Sequence, residues 1–359
     1  MKSLMSLFHE LLLDCGSMAR TNTERDWLTV TSRVEHEGLS FITIVLPNFR
    51  SHFERSLDEG RWRPDLLGFS KTAGLPRFLG GFLTQVFDHS SLALLENPSI
   101  EAIRCIRQIT GFASKIELET TASRQKAAID GFIQCELDVG DWEDNILPNL
   151  DLTKFDRLVS LLLAPTLSKI DREIYHGNVV PKHGPGATAD RRKANQKYLL
   201  DSYPQRLEEM FPAMEFIFPN DGWYQEAQEI DIYEPGRELP VKVTLVPKTM
   251  KTPRIIAVEP TAMQYVQQGI LELIVNYVDK DPTLRAMVSW QSQIPNQEMA
   301  LRGSIDGSLA TLDLSEASDR VSNALVNRML ANFPHLREAV QRTRSTRAKL
   351  PDGQIIDLR

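Results

Sequence analysis

Residues 310–326 read ATLDLSEASDRVSNALV, and two carboxylates in this stretch, Asp313 and Asp319, stand where chemistry is often done. In Ala310-Thr311-Leu312-Asp313-Leu314 the period-two alternation sets Ala310, Leu312 and Leu314 on one face and Thr311 and Asp313 on the other, which predicts a short strand with an acid on its polar side. From Val321 onward Val321, Ala324, Leu325, Met329 and Leu330 recur at helical spacing, with Ser318 or Asp319 as the expected N-cap. A strand-end aspartate is a common holder of Mg²⁺, a hard cation that keeps several waters and takes one or two carboxylates beside substrate phosphates.

A second group complements the first. In KVTLVPKTMKTPRIIAVEP, residues 242–260, two β-rich runs, Val241–Val246 and Arg254–Val258, flank a loop with Pro247 and Pro253 at its ends, so the segment reads as an extended two-strand arm. Lys248, Lys251 and Arg254 crowd its tip. Metal and cations together can share the charge of a nucleoside triphosphate. In a two-metal phosphoryl transfer the ions sit roughly 3.5–4 Å apart, and one aspartate cannot hold both. The chain has no Walker or dinucleotide glycine loop, no HExxH and no CxxC to point elsewhere. The competing reading makes Asp313 a helix-proximal acid, Asp319 a cap and the arm a solvated hairpin.

The net charge of −7 argues against a protein that coats nucleic acid by bulk attraction, so any such role needs local basic patches. Three exist: Arg191, Arg192 and Lys193 with Lys197, after the glycine-bearing loop in KHGPGATADRRKANQK; the arm tip; and Arg342, Arg344, Arg347 and Lys349. Each taken singly is more often a solvated face than a binding site.

The elements that must position these groups are of mixed type. With 42% hydrophobic residues in 359, the chain can bury a core of two or three domains' worth. Residues 1 to about 175 carry mostly helical periodicities, as in FDRLVSLLLAPTLSKIDREI, joined by connections such as GRWRPDLLGF. The opening MKSLMSLFHELLLDCGS reads as an amphipathic helix rather than a signal peptide, because His9 and Glu10 interrupt it and no small-residue cleavage site follows. No run approaches about 18 apolar residues, so no membrane span is expected. Cys15, Cys105 and Cys135 are odd in number and scattered, and read as free core thiols in a reducing cytoplasm. In TAMQYVQQGILELIVNYVD the stripe Met263, Val266, Ile270, Leu273, Ile274 and Tyr277 predicts a core helix, and Pro351-Asp352-Gly353 predicts a hairpin turn.

These residues resemble the replicase subunit of single-stranded RNA bacteriophages, the levivirus RNA-directed RNA polymerases. LATLDLSEASDRVS is similar to that family's polymerase motif A and VPKTMKTPRIIAVEP to its fingers motif F; HGPGAT, the Asn-Gln of IPNQEMALRGS, and LPDG resemble further landmarks in the same order. The resemblance covers roughly residues 180–359. It implies an α+β, right-hand polymerase fold: a mostly helical N-terminal region over 1–175, fingers with the template and nucleotide arm over 176–305, and the start of the palm over 306–359. It implies Asp313 as the catalytic Mg²⁺ ligand, with the carbonyl of Leu314 assisting a second ion, and Ser318 and Asp319 near the ribose of the incoming nucleotide. Lys248, Lys251 and Arg254 would neutralise the triphosphate, Glu259 would brace the arm, and HGPGAT with Arg191, Arg192 and Lys193 would line the template path. Template RNA, nucleoside triphosphates and the host elongation factors Tu and Ts are the implied partners, in the cytoplasm of a bacterial host, with no membrane and no DNA involved.

The chain departs from the family in one respect. It contains no Asp-Asp pair and no glycine-bearing motif B after Asp313, so only one carboxylate of a two-ion site is present. The expectation is a fragment of a longer reading frame, inactive by itself. A non-catalytic RNA-binding or replication-scaffold protein that keeps the fingers fold is the rival from another class, and a host nucleotidyltransferase is a third reading.

Overall fold

The computed structural model describes residues 2–63, 68–218, 222 and 229–359; of the GRWRPDLLGF connection, residues 64–67 lie outside the described residues. The architecture mixes helices and sheet, and the chain divides into two compact units: Met1–Ala128 with Leu245–Arg254, and Ile129–Thr244 with Ile255–Arg359. No helix is long and apolar enough to cross a membrane among the described residues.

The first unit is helical. The opening segment forms the helix Lys2–Met18 and buries Phe8, Leu12 and Cys15, residues that its amphipathic spacing places on one stripe. It packs with Glu24–Glu37, Leu46–Asp58 and Ile100–Gly111. Ser99 caps the last of these, its hydroxyl accepting from the Ala102 amide at 3.2 Å. Aromatic rings fill the centre: Phe69 and Phe78 stack with centroids 5.0 Å apart, and Phe49 meets both edge-on. Between the second and third helices the backbone widens into a π-turn, Phe41–Val45, with Phe41 and Ile42 fully buried. Asp26 is buried too, and its carboxylate accepts from the amide of Leu79, a residue held at φ 57°.

The second unit is built on the helix Thr261–Lys280, which follows the predicted stripe: Met263, Val266 and Ile270 are buried against Ile170, Tyr203, Leu207, Phe333 and Leu336, with Leu273, Ile274 and Tyr277 packed alongside. Gly269 lets the 179–181 segment lie directly on this helix, because a Cβ there would meet Val179 Cγ1 at 2.8 Å and the Val180 carbonyl at 2.9 Å. A four-stranded sheet runs in the order Arg254–Val258, Val241–Val246, Arg347–Lys349, Ile355–Asp357. The first two strands coincide with the two β-rich runs read from the sequence. Val241–Val246 lies parallel to Arg347–Lys349, with Val241 opposite Ala348, and the predicted Pro-Asp-Gly turn closes the antiparallel hairpin to Ile355–Asp357 with Gly353 at φ 95°. Val241, Val243, Ala348 and Leu350 form its buried face against Ile129, Phe132 and Ile133.

All three cysteines are free and buried, as their scatter suggested. Burial pushes the Cys15 thiol up to about 12, so it is an inert core group.

Candidate functional site

The predicted strand at Ala310–Leu314 does not form. The helix Ile294–Asp306 ends at Gly307, φ 66°, and residues 308–314 then run irregular and exposed, with Leu312 86% and Leu314 75% exposed. The physical reason is the lack of a neighbour: among the described residues no strand lies beside this segment, so its backbone groups have no ladder and its alternating face has nothing to bury against. Asp313 is exposed and its carboxylate accepts no hydrogen bond and forms no ion pair among the described residues.

The N-cap is also displaced. Ser318 and Asp319 lie in a turn, where the Asp319 amide donates to the Glu316 carbonyl at 3.0 Å, Glu316 sits at φ 53°, and Ser318 Oγ donates to the Asp319 carboxylate at 3.0 Å. Ser322 takes the cap instead, accepting from the Leu325 amide at 3.1 Å and starting the helix Asn323–Met329. The turn is pinned from outside: Arg320 pairs with both Glu316 and Asp138, and Cys135 Sγ donates to the Asp319 carbonyl at 3.6 Å.

Lys248, Lys251 and Arg254 stand exposed, and none of the three forms an ion pair among the described residues. The tip between them is fixed at Met250, whose carbonyl accepts from Arg124 Nη1 at 3.0 Å and whose sulfur lies 3.3 Å from Thr43 Oγ1.

The basic patches differ in kind. Lys197 is only 4% exposed; its ammonium donates to the Gly184 carbonyl at 2.6 Å and to the Gly186 carbonyl, so it braces the HGPGAT loop and is no part of a surface patch. Arg192 is consumed by Asp190, Asp201 and the Leu199 carbonyl, while Arg191 and Lys193 are exposed. Arg191 and Arg192 line an open cavity of about 1190 Å³ with Tyr198 and Tyr265. His183 of the loop stacks on Tyr265 at 4.4 Å and meets Tyr198 edge-on at 4.7 Å, an aromatic group that spacing did not reveal because its members lie up to 82 positions apart. Burial, and then the charge of Lys197, holds the His183 imidazole below its ordinary range. In the late run, Arg342 pairs with Glu209 and Glu338, and Arg347 donates to the carbonyls of Gly236 and Glu238, so both hold the fold.

Glu259 is bonded within the second unit: Ser345 Oγ donates to its carboxylate, and its own carbonyl accepts from the Ala189 amide at 2.9 Å. Burial pushes this carboxyl above its usual range against the hydrogen bonds from Ser345 and Gln267. With Arg344, Asn323 and Gln267 it lines a cavity of about 400 Å³.

Among the described residues no three His, Cys, Asp or Glu side chains gather as metal ligands. A free, exposed aspartate fits the single-carboxylate part of a Mg²⁺ shell that phosphates and water complete, and fits nothing more enclosed.

Residues 230–359 match the family model described as RNA replicase, beta-chain. That span holds the arm, the Asn-Gln helix, the Asp313 segment and the Pro-Asp-Gly hairpin, so four of the five landmarks lie inside it and HGPGAT lies outside. The chain is similar to the RNA-directed RNA polymerase subunit beta of Escherichia virus Qbeta, 36% identical over 115 residues, which is 32% of this chain and 18% of that one. It is likewise 39% identical over 111 residues to the RNA-directed RNA polymerase beta chain of Enterobacteria phage GA, covering 31% and 19%. To the beta chain of Escherichia phage MS2 it is 37% identical over 114 residues, covering 32% and 19%. The chain thus spans about a fifth of the length of the curated relatives it matches. The resemblance to RNA-bacteriophage replicase subunits holds over this stretch.

Proposed function

We propose that this chain carries the nucleotide arm and first catalytic aspartate of an RNA-directed RNA polymerase that copies a phage genome. One observation carries the reading: within the stretch that matches the replicase beta-chain family, Lys248, Lys251, Arg254 and Asp313 are all exposed and form no ion pair among the described residues. These charges are available to a charged ligand, whereas Arg342 and Lys197 are consumed within the fold.

In this reading a nascent 3′-hydroxyl oxygen forms a bond to the α-phosphorus of a nucleoside triphosphate on an RNA template, the α–β anhydride bond breaks, and pyrophosphate leaves. Lys248, Lys251 and Arg254 bind the triphosphate and offset its charge. Asp313 supplies one carboxylate to Mg²⁺, which when bound neutralises phosphate charge, with the Leu314 carbonyl beside it. Ser318 and Asp319 face the ribose, and Arg191 and Lys193 hold template phosphates without reading sequence. Glu259 braces the base of the arm. The right-hand organisation follows: a helical region over 1–175, fingers over 176–305 and the beginning of the palm over 306–359. Host elongation factors Tu and Ts are the partners this reading calls for, in the cytoplasm of a bacterial cell.

The 359 residues contain no Asp-Asp pair, which also fits a non-catalytic RNA-binding scaffold. An elongation assay on a primed RNA template separates the two. The chain alone should give no product above background, and fusing it to the remainder of a phage replicase beta subunit should restore Mg²⁺-dependent synthesis. A fusion that binds RNA and stays inactive favours the scaffold.

A further inference from the structure

The arm that carries Lys248, Lys251 and Arg254 leaves the sheet and packs with the N-terminal helices: Leu245–Arg254 belongs to the same compact unit as residues 1–128. We infer that this helical unit is the positioning device of the arm, and that Arg124 and Thr43 act as positioning residues for the triphosphate by holding Met250. The inference rests on the triphosphate reading of the arm given above.

The geometry is specific. Met250 lies two residues after Lys248 and one before Lys251. Its carbonyl accepts from Arg124 Nη1 at 3.0 Å, a charge-assisted bond from the first turn of the helix Ala122–Asp141. Its sulfur lies 3.3 Å from the Thr43 hydroxyl, which donates to it and also reaches the Leu39 carbonyl at 2.9 Å. Thr43 is 6% exposed and sits on the π-turn beside Phe41 and Ile42, both fully buried, so the seat for Met250 belongs to the unit's rigid core. π-turns of this kind recur at functional positions because they re-aim one side chain out of a regular helix.

The consequence for the arm is mechanical. A loop of seven residues, 247–253, bearing exposed cations would sample many conformations, and binding a triphosphate would have to freeze them. Pinning its middle residue divides it into two short spans, and Pro247 and Pro253 stiffen the outer end of each. The bond uses the backbone of Met250 and leaves the ammonium groups on either side free.

The test uses the 359-residue chain and two readouts, trypsin cleavage after Lys248 and Lys251, and equilibrium binding of fluorescently labelled GTP. Arg124→Ala should raise the rate of arm cleavage about tenfold, the scale of one charge-assisted hydrogen bond. It should weaken labelled GTP severalfold with thermal melting unchanged, and Arg124→Lys, which keeps a donor, should restore most of both. Thr43→Val, isosteric in the buried seat, should act in the same direction. Unchanged arm cleavage in both variants overturns the tether. Faster cleavage with undiminished GTP binding overturns the positioning role, provided Lys251→Ala does weaken binding. If Lys251→Ala leaves GTP binding intact while Arg124→Ala still frees the arm, the triphosphate reading fails and the tether alone survives.

Discussion

The carboxylate of Glu143 accepts the hydroxyl of Ser322 at 2.6 Å, and the same oxygen accepts the Ala324 amide at 2.9 Å. Ser322 in turn caps the helix Asn323–Met329, so two side chains 179 positions apart share the start of the helix that follows Asp313. Ser322→Ala removes one cap and leaves Glu143 with a single donor. It should cost about 1–2 kcal/mol in denaturant unfolding. Glu143→Gln should cost less, because the amide oxygen can still accept. Equal losses from the two would show that the charge matters more than the cap.

Asp26 provides a pH dependence whose sign is fixed by burial. Burial raises its carboxyl to about 6, opposed by the Leu79 amide. A raised carboxyl favours the fold while protonated, so this contribution is fully present below about 3.8 and is lost as pH rises through about 6. Asp26→Asn keeps the acceptor for Leu79 and removes the titration. It should match the natural protein below pH 4 and exceed its stability by up to about 3 kcal/mol above pH 6. Denaturant titrations at several pH values measure this directly, and parallel curves for the two proteins would refute it.

Asp313→Asn is expected to leave folding untouched, since the side chain is exposed and bonded to nothing among the described residues. In an active polymerase carrying this segment, turnover should fall by orders of magnitude, the loss typical of an interaction made in the transition state. Rates within a few-fold of the parent would remove Asp313 from the site.

Lys197 and Lys251 make a contrasting pair. Lys197→Met leaves the Gly184 and Gly186 carbonyls without their donor and should cost about 2 kcal/mol. Lys251→Ala should shift stability by less than about 0.5 kcal/mol and act on triphosphate affinity. Differential scanning calorimetry with nucleotide titration distinguishes them; a destabilised Lys251→Ala protein would mean that the arm cation has a structural partner.

Local signals, the β-rich runs bounded by Pro247 and Pro253, the apolar stripe of Thr261–Lys280 and the Pro-Asp-Gly turn, were sufficient for these elements, and Val241–Val246 and Thr261–Lys280 bury residues of their own. Alternation failed at Ala310–Leu314, where the pattern is present but no partner strand is, and a strand is a property of two segments. Charge could not be sorted by sequence. Lys197 and Arg342 look like Lys251 in a string of letters, and only the fold shows that the first two are held by the protein while the third forms no ion pair among the described residues. Arg124 and Met250, or Glu143 and Ser322, meet across more than a hundred residues, beyond the reach of any local rule.

Leu309, Leu312 and Leu314 turn hydrocarbon toward water beside unladdered amides. Such a segment is an adhesive strip. Concentrating the chain, or adding sulfate, should bring molecules together through it, while a Leu312→Lys, Leu314→Lys pair should reduce that association. Light scattering against protein concentration would show whether that strip governs how the protein behaves in the tube.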